Sequence, residues 1–201
     1  ELAALPKLLG LLPKPLITAI ITGIFALTAS VNMACSTAVS REGKRHEFYR
    51  TLPVAPASQL LAKLLMGLTI AVVCILPMAI LAAIALPDFL WQIVIGFLCA
   101  MALMTVTTTL SLMIDANHPK FGWKSETEAI KQNGIAAISM FGAMAAVMVS
   151  GGALYGLTVL GLSVTAALAI IVGMALVADG LLIRRLLHRT AETYISKEVL
   201  L

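Results

Sequence analysis

The stretch LLAKLLMGLTIAVVCILPMAILAAIAL, residues 60–86, decides the fold. It is longer than the roughly 20 residues a helix needs to cross about 30 Å of hydrocarbon. Its one charged residue, Lys63, stands near its start. It lacks the period-two alternation of a barrel strand. The rest of the chain agrees with this reading. Of 201 residues, 60% are hydrophobic and 12% charged, against roughly 25% charged in a soluble domain. A water-soluble fold of this size needs more polar cover than that, so lipid must solvate much of the apolar surface. Backbone groups in lipid have no water partner, which leaves helices or a closed barrel. Long, unbroken apolar runs select helices, and the expected class is an all-α polytopic membrane helix bundle.

Four more runs have membrane length: about 16–35, 91–114, 131–150 and 157–183, making five spans with 60–86. The expected short connectors are 87–90 and the Gly151-Gly152 region. The long ones are 36–58 and 115–131. Residues 1–15, with Pro6, Pro13 and Pro15, read as an external connector, and 184–201 as a tail. Arg41, Lys44, Arg45, Arg50 and Lys63 cluster around the first long connector. Lys120, Lys124 and Lys131 occupy the second, and Arg184, Arg185, Arg189 and Lys197 the tail. Threading five spans puts all three clusters on one side. The tendency of basic residues near span ends to stay inside makes that side cytoplasmic. The first residue, Glu1, then starts outside, and an odd span count with an outside start suggests that another span precedes it. The net charge of +4 belongs to these span ends, not to a nucleic-acid surface.

Several chemistries are excluded. Residues 41–45 contain a Gly-Lys pair but lack the upstream glycine and the Ser/Thr of a phosphate-binding loop. There is no H-E-x-x-H, no Ser/His/Asp arrangement and no CxxC spacing. No catalytic, metal or cofactor residue is expected, so any ATP hydrolysis belongs to a separate subunit. Cys35, Cys74 and Cys99 read as packing residues. His46, His118 and His188 read as solvated loop histidines. Asp179, within the last run, is expected to pair with Arg184 or Arg185 near the membrane surface, a proton-carrying carboxylate being the other reading. Ser125 and Glu128 form a capping box that should start a helix running through Lys131. Ser58 can cap the second span. Pro77 should kink it. Gly142, Ala146 and Ser150 share a face suited to close helix packing, either inside the subunit or against a second one.

The loop at 40–56 has mixed charge, and Phe48, Tyr49 and Leu52 can share one helical face. A short amphipathic helix would lie on lipid or in a groove of a partner protein, and Glu42 and Glu47 favour the protein groove.

The run Ser40-Arg41-Glu42-Gly43-Lys44, then Leu52-Pro53-Val54-Ala55-Pro56 and Lys63, resembles the S-R-E-G-K … L-P-[VI]-x-P … K pattern of bacterial ABC exporter permeases of the second type. Asp115 to Trp123, followed by Glu128-Ala129-Ile130-Lys131-Gln132-Asn133, resembles their D-x-x-x-P-K-x-x-W … E-A-[VI]-K-Q-N segment. The resemblance covers roughly 31–134, and His118 departs from it where the family often has Arg. It implies a six-span exporter half, of which the five runs would be spans two to six. It also implies a coupling helix at about 41–52 seated in a cleft of an ATP-binding subunit. Arg41, Glu42, Phe48, Tyr49 and Leu52 become candidate ATPase contacts. Asp115, Pro119, Lys120, Trp123, Glu128 and Lys131 are second-loop candidates. The implied partners are the ATPase, a second permease copy or half, and the bilayer. A non-transporting scaffold that docks a cytoplasmic protein would use the same features.

Overall fold

In the computed structural model, residues 10–30, 33–123, 128 and 134–196 are described. Each apolar run has to satisfy its own backbone polar groups, and a helix does so within the segment. Helix α1 (Lys14–Ser30) is followed by α2 (Met33–Ser36), a 3-10 segment (Ser40–Arg45) and the short α3 (His46–Thr51). Three long helices follow: α4 (Pro56–Ala85), α5 (Leu90–Asn117) and α6 (Gly134–Val159). The last span, α7 (Val164–Arg185), continues through a π turn (Leu186–Thr190) into α8 (Ala191–Ser196). Five segments are long and apolar enough to cross a membrane, and no strand occurs among the described residues. The chain is a multi-pass all-α membrane bundle.

The central helix is α5, which packs against α1, α2, α4, α6 and α7. On α4 a buried stripe of Leu60, Leu64, Gly67, Ala71, Ile75 and Ala79 recurs every three or four residues. The outer face of α4 is just as apolar, with Val73, Leu81 and Ile84 exposed. Helices that are apolar all round suit lipid, not water. Several hydroxyls within the spans bond back to their own helix. Thr22 donates to the Thr18 carbonyl at 2.8 Å, and Ser30 to the Ala26 carbonyl at 2.7 Å. Three apolar clusters run down the bundle. One, with Cys35, Leu60, Leu112, Leu186 and Tyr194, closes the end bearing both long connectors, here the loop end.

Several boundaries differ from expectation. Pro15 lies in the first turn of α1, not in a connector, because a proline there loses no helical hydrogen bond. Residues 1–9 of that connector lie outside the described residues. Ser58 caps nothing: α4 begins at Pro56, whose fixed φ suits the first helical position, and the cap residue Ala55 makes no side-chain bond. Pro77 sits within α4, which runs through it without interruption. Gly151 and Gly152 do not form a connector, since α6 continues to Val159. Without water to compete for backbone groups, paired glycines do not end a helix here, and the turn comes at 160–163. Ser125 and Lys131 lie outside the described residues. Glu128 is described and helical.

The loop end depends on one close approach. A Cβ built on Gly67 would lie 2.0 Å from the Cys35 sulfur, so α2 and α4 meet only because position 67 has no side chain. Gly67→Ala should therefore destabilise the chain by about 1–3 kcal/mol. Adding Cys35→Ala should recover part of that loss. Thermal unfolding in detergent checks both, and non-additivity of the pair is the expected signature.

Candidate functional site

The two long connectors fold together into one platform at the loop end. Asp115, in the last turn of α5, is fully buried. Its Oδ2 accepts from the backbone N–H groups of Val39 at 2.6 Å and Ser40 at 3.1 Å, and its Oδ1 accepts from the Ser40 hydroxyl. Ser40 ties in the second connector as well. Its hydroxyl oxygen accepts from the Lys120 N–H at 3.0 Å, and its carbonyl accepts from the Trp123 indole N–H at 2.7 Å. The adjacent Arg41 turns back to donate to the carbonyls of Thr37 and Ala34 at 3.3 and 3.0 Å, covering the end of α2.

Gly43 explains the glycine in this run. Its φ of +51° is left-handed, and a Cβ there would fall 2.7 Å from the Trp123 ring. The expected continuous helix over 41–52 is therefore absent. The chain forms the 3-10 segment, turns at Gly43 and restarts as the six-residue α3, with Leu52 extended beyond its end.

Glu42 lies beneath this turn, 7% exposed. Lys63 of α4 approaches one carboxylate oxygen at 2.5 Å, and His46 Nδ1 the other at 2.7 Å. The Tyr194 hydroxyl of α8 stands 3.1 Å from both Glu42 Oε1 and Gln59 Oε1. The Gln59 side-chain amide donates to the carbonyls of Tyr49 and Val54 at 3.3 and 3.2 Å. Burial opposes ionisation of Glu42, but the hydrogen bond to His46 and the Lys63 charge outweigh it, holding the carboxyl below its ordinary range. Burial and the neighbouring carboxylate raise the Tyr194 phenol, which stays protonated and available to donate.

His46 is not a solvated loop histidine. It is fully buried, stacked on Phe121 with centroids 4.6 Å apart and set edge-on to Tyr194 at 5.0 Å. His118 and His188 are exposed, as expected, but His188 lies in the π turn that continues the last helix, not in a loop. Of the candidate contacts, Glu42 is withdrawn into this network and Arg41 is half-buried. Phe48 points outward, 63% exposed, with its ring 6.1 Å from that of Tyr49. Tyr49 and Leu52 are half-buried, and the Lys63 ammonium lies 5.6 Å from the Tyr49 ring. Lys44 and Arg45 flank the groove bounded by Gly43, Phe121 and Trp123. Pro119 is half-buried in the irregular stretch leading to Trp123.

Sequence reasoning missed Gln59 and Tyr194. Tyr194 meets Glu42 across 152 positions, in a segment read as a cytoplasmic tail. Leu186, Thr190 and Tyr194, all buried and spaced by four, were the available sign of an inward-facing stripe.

Within the spans, Ser139, Ala143 and Val147 form the buried row of α6. Gly142 is exposed, while Ala146 and Ser150 line an apolar cavity between α5, α6 and α7. Asp179 is buried and makes no ion pair with Arg184 or Arg185, both exposed. At about 100° per residue, positions five and six further along point to other faces. Thr109, Ser139 and Asp179, on α5, α6 and α7, each bury an oxygen with no hydrogen-bond partner among the described residues.

No family model matches the chain, and no curated protein or solved structure shows detectable similarity to it.

Glu42→Gln should cost about 1–3 kcal/mol of stability. Because the folded-state pKa of Glu42 is depressed, its contribution is complete above the ordinary carboxylate range and is lost as pH falls through the depressed value. Acid titration of thermal stability should therefore be flatter in the variant than in the wild type. Gly43→Ala should displace Trp123 and red-shift its fluorescence, measured in a Trp91→Phe background that leaves Trp123 as the sole tryptophan.

Proposed function

We propose that the chain is a transmembrane subunit of an ATP-driven exporter and receives motion from a separate ATPase through the α3 platform, with the loop end in the cytoplasm. The observation that carries this reading is the way the platform is tied to the spans. Phe48 stands exposed at the end of a loop whose base is bonded to α4 through Lys63, to α5 through Asp115 and to α8 through Tyr194. A partner that displaced α3 would have to move the ends of those helices or break buried, charge-assisted hydrogen bonds, which are the stronger kind. A loop serving only as a docking tag needs no such ties.

The charge distribution supports the orientation. At the other end the turns at 86–89 and 160–163 carry Asp88 and no basic residue, and Lys14 at the start of α1 is the one basic group described there. The resemblance of residues 40–44, 52–56 and 115–123 to exporter permeases supports the partner class. Phe48 would seat in a cleft of the ATPase, with Arg45 and Lys44 beside it. ATP binding would drive export only if the ATPase held the platform differently in its two states. Gly142 and its exposed neighbours on α6 offer a surface for a second permease copy.

The test is co-purification and transport. Phe48→Asp should leave the chain folded but weaken retention of the ATPase at least tenfold, and ATP-dependent export in reconstituted vesicles should fall with it. Wild-type retention and export by Phe48→Asp would rule out this contact. Retention of a partner without any ATP-dependent substrate movement would favour a scaffold.

A further inference from the structure

We propose that the outer face of α7 at the loop end binds the phosphate headgroup of an anionic phospholipid. Arg184, Arg185, His188 and Arg189 line one groove together with Leu181. Their spacing of one, four and five positions gathers them on one side of the helix. The π turn turns Leu186 and Thr190 inward, where both are buried, and leaves the cations outside. Among the described residues none of the four makes an ion pair. Glu192 is the nearest carboxylate along the chain, and it too forms no ion pair. Asp179 is buried on another face of α7.

The apolar part of the groove selects a lipid over a soluble phosphate. Val177 and Leu181 are 66% and 63% exposed on a membrane span, and Leu181 borders the basic cluster directly. At 1.5 Å per residue, Leu181 and Arg189 are about 12 Å apart along the axis. A phospholipid fits that succession, with an acyl chain along Val177 and Leu181 and its phosphate among the arginines. Basic clusters at the end of a span attract anionic headgroups in this way. The site is independent of the transport reading, since it requires only that α7 cross the bilayer.

The probe is spin-labelled phosphatidylglycerol against spin-labelled phosphatidylcholine, with the full chain reconstituted in phosphatidylcholine vesicles. The wild type should hold phosphatidylglycerol in preference, and raised salt should weaken the preference. Arg185→Gln with Arg189→Gln should reduce it by about five-fold for each charge removed, and Arg185→Lys with Arg189→Lys should keep most of it. Should the double glutamine variant unfold, the two single variants carry the same test. The proposal fails if the glutamine variants retain the full preference or the wild type shows none. Displacement of the labelled lipid by inorganic phosphate would assign the groove to a soluble phosphate and overturn the lipid site.

Discussion

The buried carboxylate of Glu42 is the constraint on which the loop end depends. A charge taken out of water is costly unless every lone pair finds a partner. Here the partners come from three different parts of the chain: His46 four residues on, Lys63 at the base of α4 and Tyr194 of α8. Satisfying one carboxylate thus fixes the positions of two helices and the restart of a third. Asp115 does the same for the preceding residues, since its oxygens hold the backbone of Val39 and Ser40 against the end of α5. The two carboxylates anchor the residues before and after Arg41 and convert a polar connector into a fixed surface.

Much of the fold was legible because lipid simplifies the problem. A run such as residues 60–86 has one stable backbone solution in hydrocarbon, so span number and helix type follow from length and apolarity. Boundaries were less legible for the same reason. Rules learned from water, in which paired glycines end helices and serines begin them, lost their force at Gly151-Gly152 and at Ser58. There the medium or a neighbouring proline decided instead.

The candidate site was legible in its residues but not in their roles. Ser40, Glu42, Gly43, Asp115 and Trp123 stand out in the sequence, and all join one assembly. Reading Glu42 as a surface contact assumed that a charged loop residue faces water. The basic groups that make its burial possible come from 21 positions ahead in Lys63 and, in His46, from a residue that reads as ordinary loop. The continuous amphipathic helix failed on one backbone angle, that of Gly43, which hydrophobic spacing does not report.

Tyr194 gives the platform an order of assembly. A chain is synthesised from its N-terminal side, so Glu42, His46 and Lys63 can meet while α5, α6 and α7 are still unmade. The Glu42 charge is therefore neutralised early by neighbours, whereas its enclosure by the phenol waits until α8 exists. The phenol of α8 therefore ties the last described helix back to the first loop, across 152 positions.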